Sequence, residues 1–346
     1  MLRIREATRE DNAALLQLEA QSPQGTGISI IIDRDDYFYR SRLHEHSKIL
    51  IAEEDDKLVG IMAYAIKDIF IEGERERAAY FYDLRGEASY RRSMKRGLLR
   101  LWHTALQGME ESGASFIYGH VKADNSDSMN IATKMKAHPL ASFDILSLPA
   151  LRGKPPELDN HLDTLDAEVE RIGSLVGTRD LRPCDFPASY LRGAELGYLR
   201  GIFRIENGNS MAQISAWDLS SIYRGRVLRM PMSLRTLGCV LNPLSGVLPV
   251  PRVPRVGEQM TYLQLFDPIS HGDQGKKLLK ELIQQLRRVA YSEGIDILTL
   301  FVYSDDPLTK IPRFFPEKVL HYNTMVKPLR EAKLPKRPFY LDIRDI

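Results

Sequence analysis

The sequence predicts an α/β protein made of two similar domains, and three observations carry that expectation. Strand-like runs and one amphipathic helix follow each other in the order β-β-β-turn-α-β over the first 125 residues. The latter part of that order returns about 180 residues later. At 346 residues the chain is also longer than the roughly 250–300 over which a single core keeps growing.

Each element follows from its own residues. Residues 3–20 carry apolar side chains at helical spacing after an Arg-rich start, and "QSPQGTG" then breaks the pattern, which predicts a short strand, a turn and a helix. In "KILIAEEDDKLVGIMAYAI" (48–66) two β-prone runs flank Glu-Asp-Asp-Lys, the pattern of a β-hairpin. "ERAAYFYDLR" (76–85) is a third strand, rich in aromatics. Leu98, Leu101, Trp102, Ala105 and Leu106 then share one helical face, Gly113 ends that helix, and "ASFIYGHV" (114–121) reads as a buried strand.

The repeat aligns "KRGLLRLWHTALQGMEESGASFIYGHVKADN" (95–125) with "GKKLLKELIQQLRRVAYSEGIDILTLFVYSDD" (275–306). Leu98 and Leu99 meet Leu278 and Leu279, Gly113 meets Gly294, and Val121 meets Val302. Upstream, "YFYDLRG" matches "MTYLQLFD" at the same distance from its helix. This places a first domain at 1–150, a linker at 151–177, a second, divergent domain at 178–315 and a C-terminal tail at 316–346. Trp217, in the alternating run "AQISAWDLS", is expected in the core.

Composition narrows the function. With 43% hydrophobic and 27% charged residues the chain reads as soluble and globular, and no apolar run approaches the roughly 20 residues of a membrane span. An N-terminus charged from its third residue does not read as a signal peptide, so a cytoplasmic protein without a membrane partner is expected. A net charge of +2 argues against a nucleic-acid partner held by a broad basic face. Cys184 and Cys239 lie in no CxxC or Cys/His pattern, and HExxH, GxSxG, Walker A and GxGxxG motifs do not occur, so no metal is expected.

Positive charge is concentrated instead in "YFYDLRGEASYRRSMKRGLLRLWHTAL" (80–106), where five Arg and one Lys lie between a strand and a helix. Basic residues at a helix N-terminus oppose the helix dipole, whereas an anion there is favoured by the dipole and by unpaired N–H groups. Arg91, Arg92, Lys95 and Arg96 therefore suit an anionic partner, and the planar guanidinium suits phosphate.

"DLRGEASYRRSMKRGLL" resembles the central motif of the GNAT superfamily of acyl-CoA-dependent N-acetyltransferases, in which a strand ending "DLRV" is followed by a phosphate-binding turn and a helix. "IREATREDNAALLQLE" and "ILIAEEDDKLVGIMAY" resemble that family's first helix and first hairpin, and "ADNSDSMNIATKMKA" lies where it has "N..A..LY.K.GF". The combination with "FDILSLPAL" and "AQISAWDLSSIYRGRV" is similar to hookless-type tandem acetyltransferases.

The resemblance implies two tandem GNAT-like domains, each a mixed, mostly antiparallel sheet flanked by helices. It implies acetyl-CoA or coenzyme A as cosubstrate and direct transfer to a small-molecule or peptide amine; separately, the basic, proline-punctuated tail "KPLREAKLPKRPFYLDIRDI" leaves open packing across the first domain or a homodimer. The cosubstrate would be held by Leu84, Arg85 and Gly86 on the strand, by Arg91, Arg92, Ser93, Met94, Lys95, Arg96 and Gly97 at the turn, and by Asn125 and Ser128 downstream. Asp83, Glu53 and Tyr118 are the catalytic candidates, with Glu54, Tyr80 and Tyr82 beside them.

The sequence also departs from the family. Met94 and Arg96 replace two loop glycines, and Ala132 replaces the usual tyrosine general acid. The second copy keeps Gly272 and Gly275 in its loop, with Lys276 and Lys277 beside them, and carries Tyr303 on its last strand. These departures leave a non-catalytic acyl-CoA-binding or regulatory protein as the alternative. An aminoacyl transferase on paired GNAT folds is a weaker one, since it would require an aminoacyl-tRNA partner.

Overall fold

The computed structural model describes residues 2–21, 23, 27–87, 91–303, 319–336 and 339–345, without the side chains of 91–96. In the N-terminal half the order is β1 (Leu2–Glu6), α1 (Asn12–Ala20), β2 (Ser29–Asp33), α2 (Arg40–Leu43), β3 (Ser47–Glu54), β4 (Lys57–Ile71), β5 (Glu74–Gly86), α3 (Arg91–Glu111), β6 (Phe116–Lys122), α4 (Ser126–Lys134) and β7 (His138–Pro149). A connecting stretch follows with β8 (Asp159–Asn160), α5 (Leu165–Leu175) and β9 (Arg182–Pro183). The C-terminal half has α6 (Phe186–Glu195), β10 (Leu199–Asn207), β11 (Ser210–Asp218), β12 (Arg224–Arg229), α7 (Met232–Ser245), β13 (Gln259–Met260), β14 (Tyr262–His271), α8 (Gly275–Ser292), β15 (Ile297–Tyr303) and β16 (Leu320–Pro328).

The elements expected from sequence form where their residues favour them. Asp55 and Asp56, both at positive φ, make the two-residue turn between β3 and β4, as the pairing of Glu54 with Lys57 requires. Gly113, at φ +77°, closes α3. Leu101, Trp102, Ala105 and Met109 of α3 are buried against β3 and β4, and Leu278, Leu279, Leu282, Ile283 and Leu286 of α8 against β11 and β14. Each leucine, isoleucine or methionine among them contributes on the order of 2 kcal/mol by leaving water.

The strands run as one thirteen-stranded sheet in the order β1-β3-β4-β5-β6-β16-β7-β15-β14-β11-β10-β8, with β9 added on β4. Its parallel neighbours are β5 with β6 and β14 with β15, bridged by α3 and α8. The two halves thus share one plan and meet as a single mixed sheet flanked by helices.

The join differs from a linker between separate domains. The segment expected as a tail, 316–346, supplies β16, which lies between β6 and β7, while β7 pairs with β15 of the other half. Each half lends a strand to the centre, so neither β6 nor β15 is left as an unpaired edge. A second, three-stranded sheet, β13-β12-β2, also ties the halves together. α3 and α8 each cover their own core, whereas the opposite face carries one core common to both halves. There Tyr80, Tyr82 and Tyr118 join Trp217, Phe266, Phe301 and the terminal run Phe339–Ile343.

Candidate active site

Parallel pairing of β5 with β6 extends only over Ala78–Tyr80 and Phe116–Tyr118, and beyond it the strands diverge. β5 also carries a bulge: Arg85 pairs with Ile61 and Tyr82 with Ala63, so Asp83 and Leu84 together face Met62. Asp83 adopts φ +51°, rare outside glycine, as the extra residue demands. A cavity of about 780 Å³ opens between the diverging strands.

That cavity gathers most of the residues expected from sequence. Asp83 and Tyr118 line it, as do Leu84, Arg85, Gly86, Asn125 and Ser128. The Asn125 side chain caps α4 by accepting from the Ser128 N–H at 3.0 Å. Gly119 lines it too, and a Cβ there would lie 2.7 Å from the Phe81 carbonyl oxygen.

Others fall elsewhere. Glu53 is held at the edge of the sheet, where Arg5 Nε donates to it at 3.0 Å and the same guanidinium bonds Asp11. Glu53 opposes Arg3 on β1 and lies on β3, two strands from β5 in the sheet order, because the hairpin directs it towards that edge. Gly97 packs inside α3 against Ala52 and Val59, so its missing side chain serves helix-to-sheet contact. Arg91, Arg92, Ser93, Met94, Lys95 and Arg96 form the first turns of α3, with side chains outside the described residues.

The electrostatics of the cavity wall are uneven. Despite burial, the guanidinium groups of Arg85, Arg40 and Arg34 hold Asp83 below the usual carboxylate range. His120 lines the cavity and is pushed down to about 3 by burial and by Lys67 and Arg40, so its ring is neutral near pH 7. Tyr118 donates to Asp345 Oδ2 at 2.7 Å, and burial followed by that carboxylate raises the phenol well above its ordinary value.

Asp345 belongs to a cluster that sequence reasoning missed. Lys67 Nζ bonds both Asp342 Oδ2 and Asp345 Oδ1 at 2.7 Å, and the Arg344 carbonyl accepts from Arg40 Nη1 and contacts His44 Nε2, each at 3.0 Å. Tyr80 donates its hydroxyl to the Asp345 carbonyl. Burial pushes Asp345 up while Lys67 opposes it. Two signals were present: a lysine inside the apolar run "GIMAYAIKDIFI", and the alternating charges of "LDIRDI". The role of the missing tyrosine at Ala132 has a geometric candidate in Tyr322 of β16, which faces the same cavity.

A sheet that splits at a bulged central strand, beside a parallel neighbour reached through a helix, defines a fold of the GNAT kind. Residues 3–123 match the family model described as an acetyltransferase (GNAT) domain. Among solved structures it resembles N-myristoyltransferase of Saccharomyces cerevisiae with bound myristoyl-CoA, at TM-score 0.62 and 10% identity, over 99% of this chain and 82% of that one. Eis1 from Mycobacterium abscessus is a looser match, at TM-score 0.45 and 14% identity, over 95% and 73%. A GCN5-related N-acetyltransferase from Anabaena variabilis matches at TM-score 0.49 and 12% identity, over 95% and 73%. No curated protein matches by sequence. Among the described residues no helix is long and apolar enough to cross a membrane, and no group of three or more His, Cys, Asp or Glu is arranged to hold a metal ion.

Proposed function

We propose that the protein transfers an acyl group, acetyl in the first instance, from coenzyme A directly to an amine in the cavity of the N-terminal half. The observation that carries this reading is the split between β5 and β6. Past Tyr80 and Tyr118 the facing strand edges are unpaired with each other, which suits the amide-bearing arm of a coenzyme A thioester. The N-myristoyltransferase it resembles binds a coenzyme A thioester, and the matching family model is that of acetyltransferases.

In this reading backbone N–H groups beside the bulge, around Leu84 and Arg85, polarise the thioester carbonyl and hold the oxyanion. The amine nitrogen forms a bond to the acyl carbon, and the carbon–sulfur bond breaks. The proton lost by the amine passes to the Tyr118 oxygen as Tyr118 gives its own to Asp345, whose burial makes it a stronger base than an exposed carboxylate. Asp83, held ionised by arginines, is a poorer base and serves the bulge and its charge balance. Tyr322 is the phenol placed to protonate the leaving thiolate.

Calorimetric titration with acetyl-CoA tests the cosubstrate site; one site per chain is expected, and no binding would remove the reading. Tyr118→Phe should lower kcat about 100-fold with the KM for acetyl-CoA unchanged, since general-base transfer contributes about 10²–10⁴-fold. An unchanged kcat would exclude the Tyr118–Asp345 route.

A further inference from the structure

Between Asp218 and Glu258 the chain carries six arginines and no lysine, aspartate or glutamate. Three of the six are matched by carboxylates from outside that segment: Arg224 by Asp35, Arg226 by Asp33, and Arg252 by Glu258 and Asp296. Arg229, Arg235 and Arg255 are exposed, with no carboxylate in salt-bridge contact among the described residues. A net charge of +2 for the whole chain conceals this local excess.

The same segment exposes apolar surface. Of the eleven large apolar side chains most exposed among the described residues, seven lie between 228 and 256, with Met232 at 72% and Val247 at 74%. The helix α7 accounts for part of this. Its inner side, with Leu234, Gly238 and Leu241, packs on a small core of Val227, Met230, Val253 and Met260. Met232 and Val240 stand on the opposite side, where a surface helix ordinarily carries charge, and Arg235 is the one charged residue of the helix. Beside α7 a cleft of about 370 Å³, lined by Gly238, Cys239, Val253 and Val256, has Arg235 and Arg255 in its walls.

We propose that α7 and the loop 246–257 dock on an anionic lipid surface, their apolar side chains entering the acyl boundary while Arg229, Arg235 and Arg255 meet headgroup phosphates. Apolar residues on such a face gain by leaving water, and arginines beside them are drawn to anionic lipid. A second copy of this chain suits the face less well, because a two-fold contact would set arginine against arginine. The expectation of no membrane partner rested on the absence of a span, and a chain without one can still lie on a lipid surface. No residue of this face lines the cavity of the N-terminal half, so docking and acyl transfer stand or fall separately.

The test floats the full chain with vesicles of phosphatidylcholine alone and of phosphatidylcholine and phosphatidylglycerol in equal parts. Binding to the mixed vesicles and not to the neutral ones is expected, weakened at about 1 M salt, where the screening length falls to roughly 3 Å. Arg235→Gln with Arg255→Gln should weaken partitioning about 25-fold, at about fivefold for each arginine. Met232→Glu with Val240→Glu, at positions open to solvent, should abolish partitioning and leave the affinity for acetyl-CoA as in the wild type. No partitioning into either vesicle, equal partitioning into both, or binding that survives both double variants would overturn the proposal. So would a chain that sediments as a dimer and becomes a monomer on Met232→Glu with Val240→Glu, which would give the face to a second copy.

Discussion

The two halves contain the same split and treat it in opposite ways. β14 carries a bulge like that of β5, and Asp267 stands on it at φ +50°, the counterpart of Asp83 at +51°. In the register this sets Gly119 against Leu300 and His120 against Phe301. In the N-terminal half Gly119 leaves room and a cavity opens. In the C-terminal half Leu300 is buried beneath α8, Phe266 stacks on Phe301 at 4.4 Å, and Tyr190, Trp217 and Tyr340 close over the bulge. The aspartates follow their surroundings: arginines hold Asp83 down, while burial lifts Asp267 to about 6 although Tyr190 and Tyr340 donate to it. One half keeps a site, and the other has turned the same geometry into core.

The largest effect on cosubstrate binding is expected where one side chain would make the first half like the second. At Gly119 a Cβ would meet the Phe81 carbonyl at 2.7 Å, so Gly119→Val must displace backbone at the cavity mouth. Acetyl-CoA affinity should fall about 100-fold or more, equivalent to ~2.7 kcal/mol, while circular dichroism reports the fold retained. Calorimetry showing wild-type affinity would mean that this split is not where the cosubstrate binds.

Next comes the charge on the open side. Asp83→Asn removes the carboxylate that faces Arg34, Arg40 and Arg85, and stranding buried charge costs roughly 3–5 kcal/mol. Urea unfolding at pH 7 should show the loss. Since the folded state holds Asp83 below its unfolded value, its contribution is present above the ordinary carboxylate range and vanishes as pH falls through the depressed value. The variant and the wild type should therefore converge in acid; a constant gap would mean that the cost is steric.

How far this contrast could be read in advance depends on its range along the chain. The hairpin at 48–66, the helix after the basic turn and the repeat offset are local patterns, and they are present in the structure as β3, β4, α3 and α8. The positions of Asp83, Leu84 and Tyr118 around one cavity followed from a motif whose strand, turn and helix are contiguous. Glu53 did not, because its distance from the cavity is set by strand order, which spacing within a hairpin does not fix. The exchange of β7 and β16 between halves was equally hidden, since its partners lie up to about 200 residues apart. The Lys67–Asp342–Asp345 contact, spanning more than 270 residues, was visible only as a misplaced lysine and a charged end to the chain.

The smallest effect on cosubstrate binding sharpens the comparison from the closed side. Asp267 has a folded-state value of about 6, raised above the 3.8 of an unfolded aspartate, so between those values the folded protein keeps a proton that the unfolded chain has released. Stability from this group is therefore complete below about pH 4 and is lost as pH rises through 6, by roughly 3 kcal/mol in all at about 1.4 kcal/mol per unit. Asp267→Asn keeps an acceptor for Tyr190 and Tyr340 but cannot titrate. Its stability relative to wild type should rise between pH 4 and 6 and stay level above, the reverse of the trend at Asp83, with acetyl-CoA affinity untouched. A flat difference across that window would mean that Asp267 is ionised as readily as Asp83, and the two bulges would then differ in shape alone.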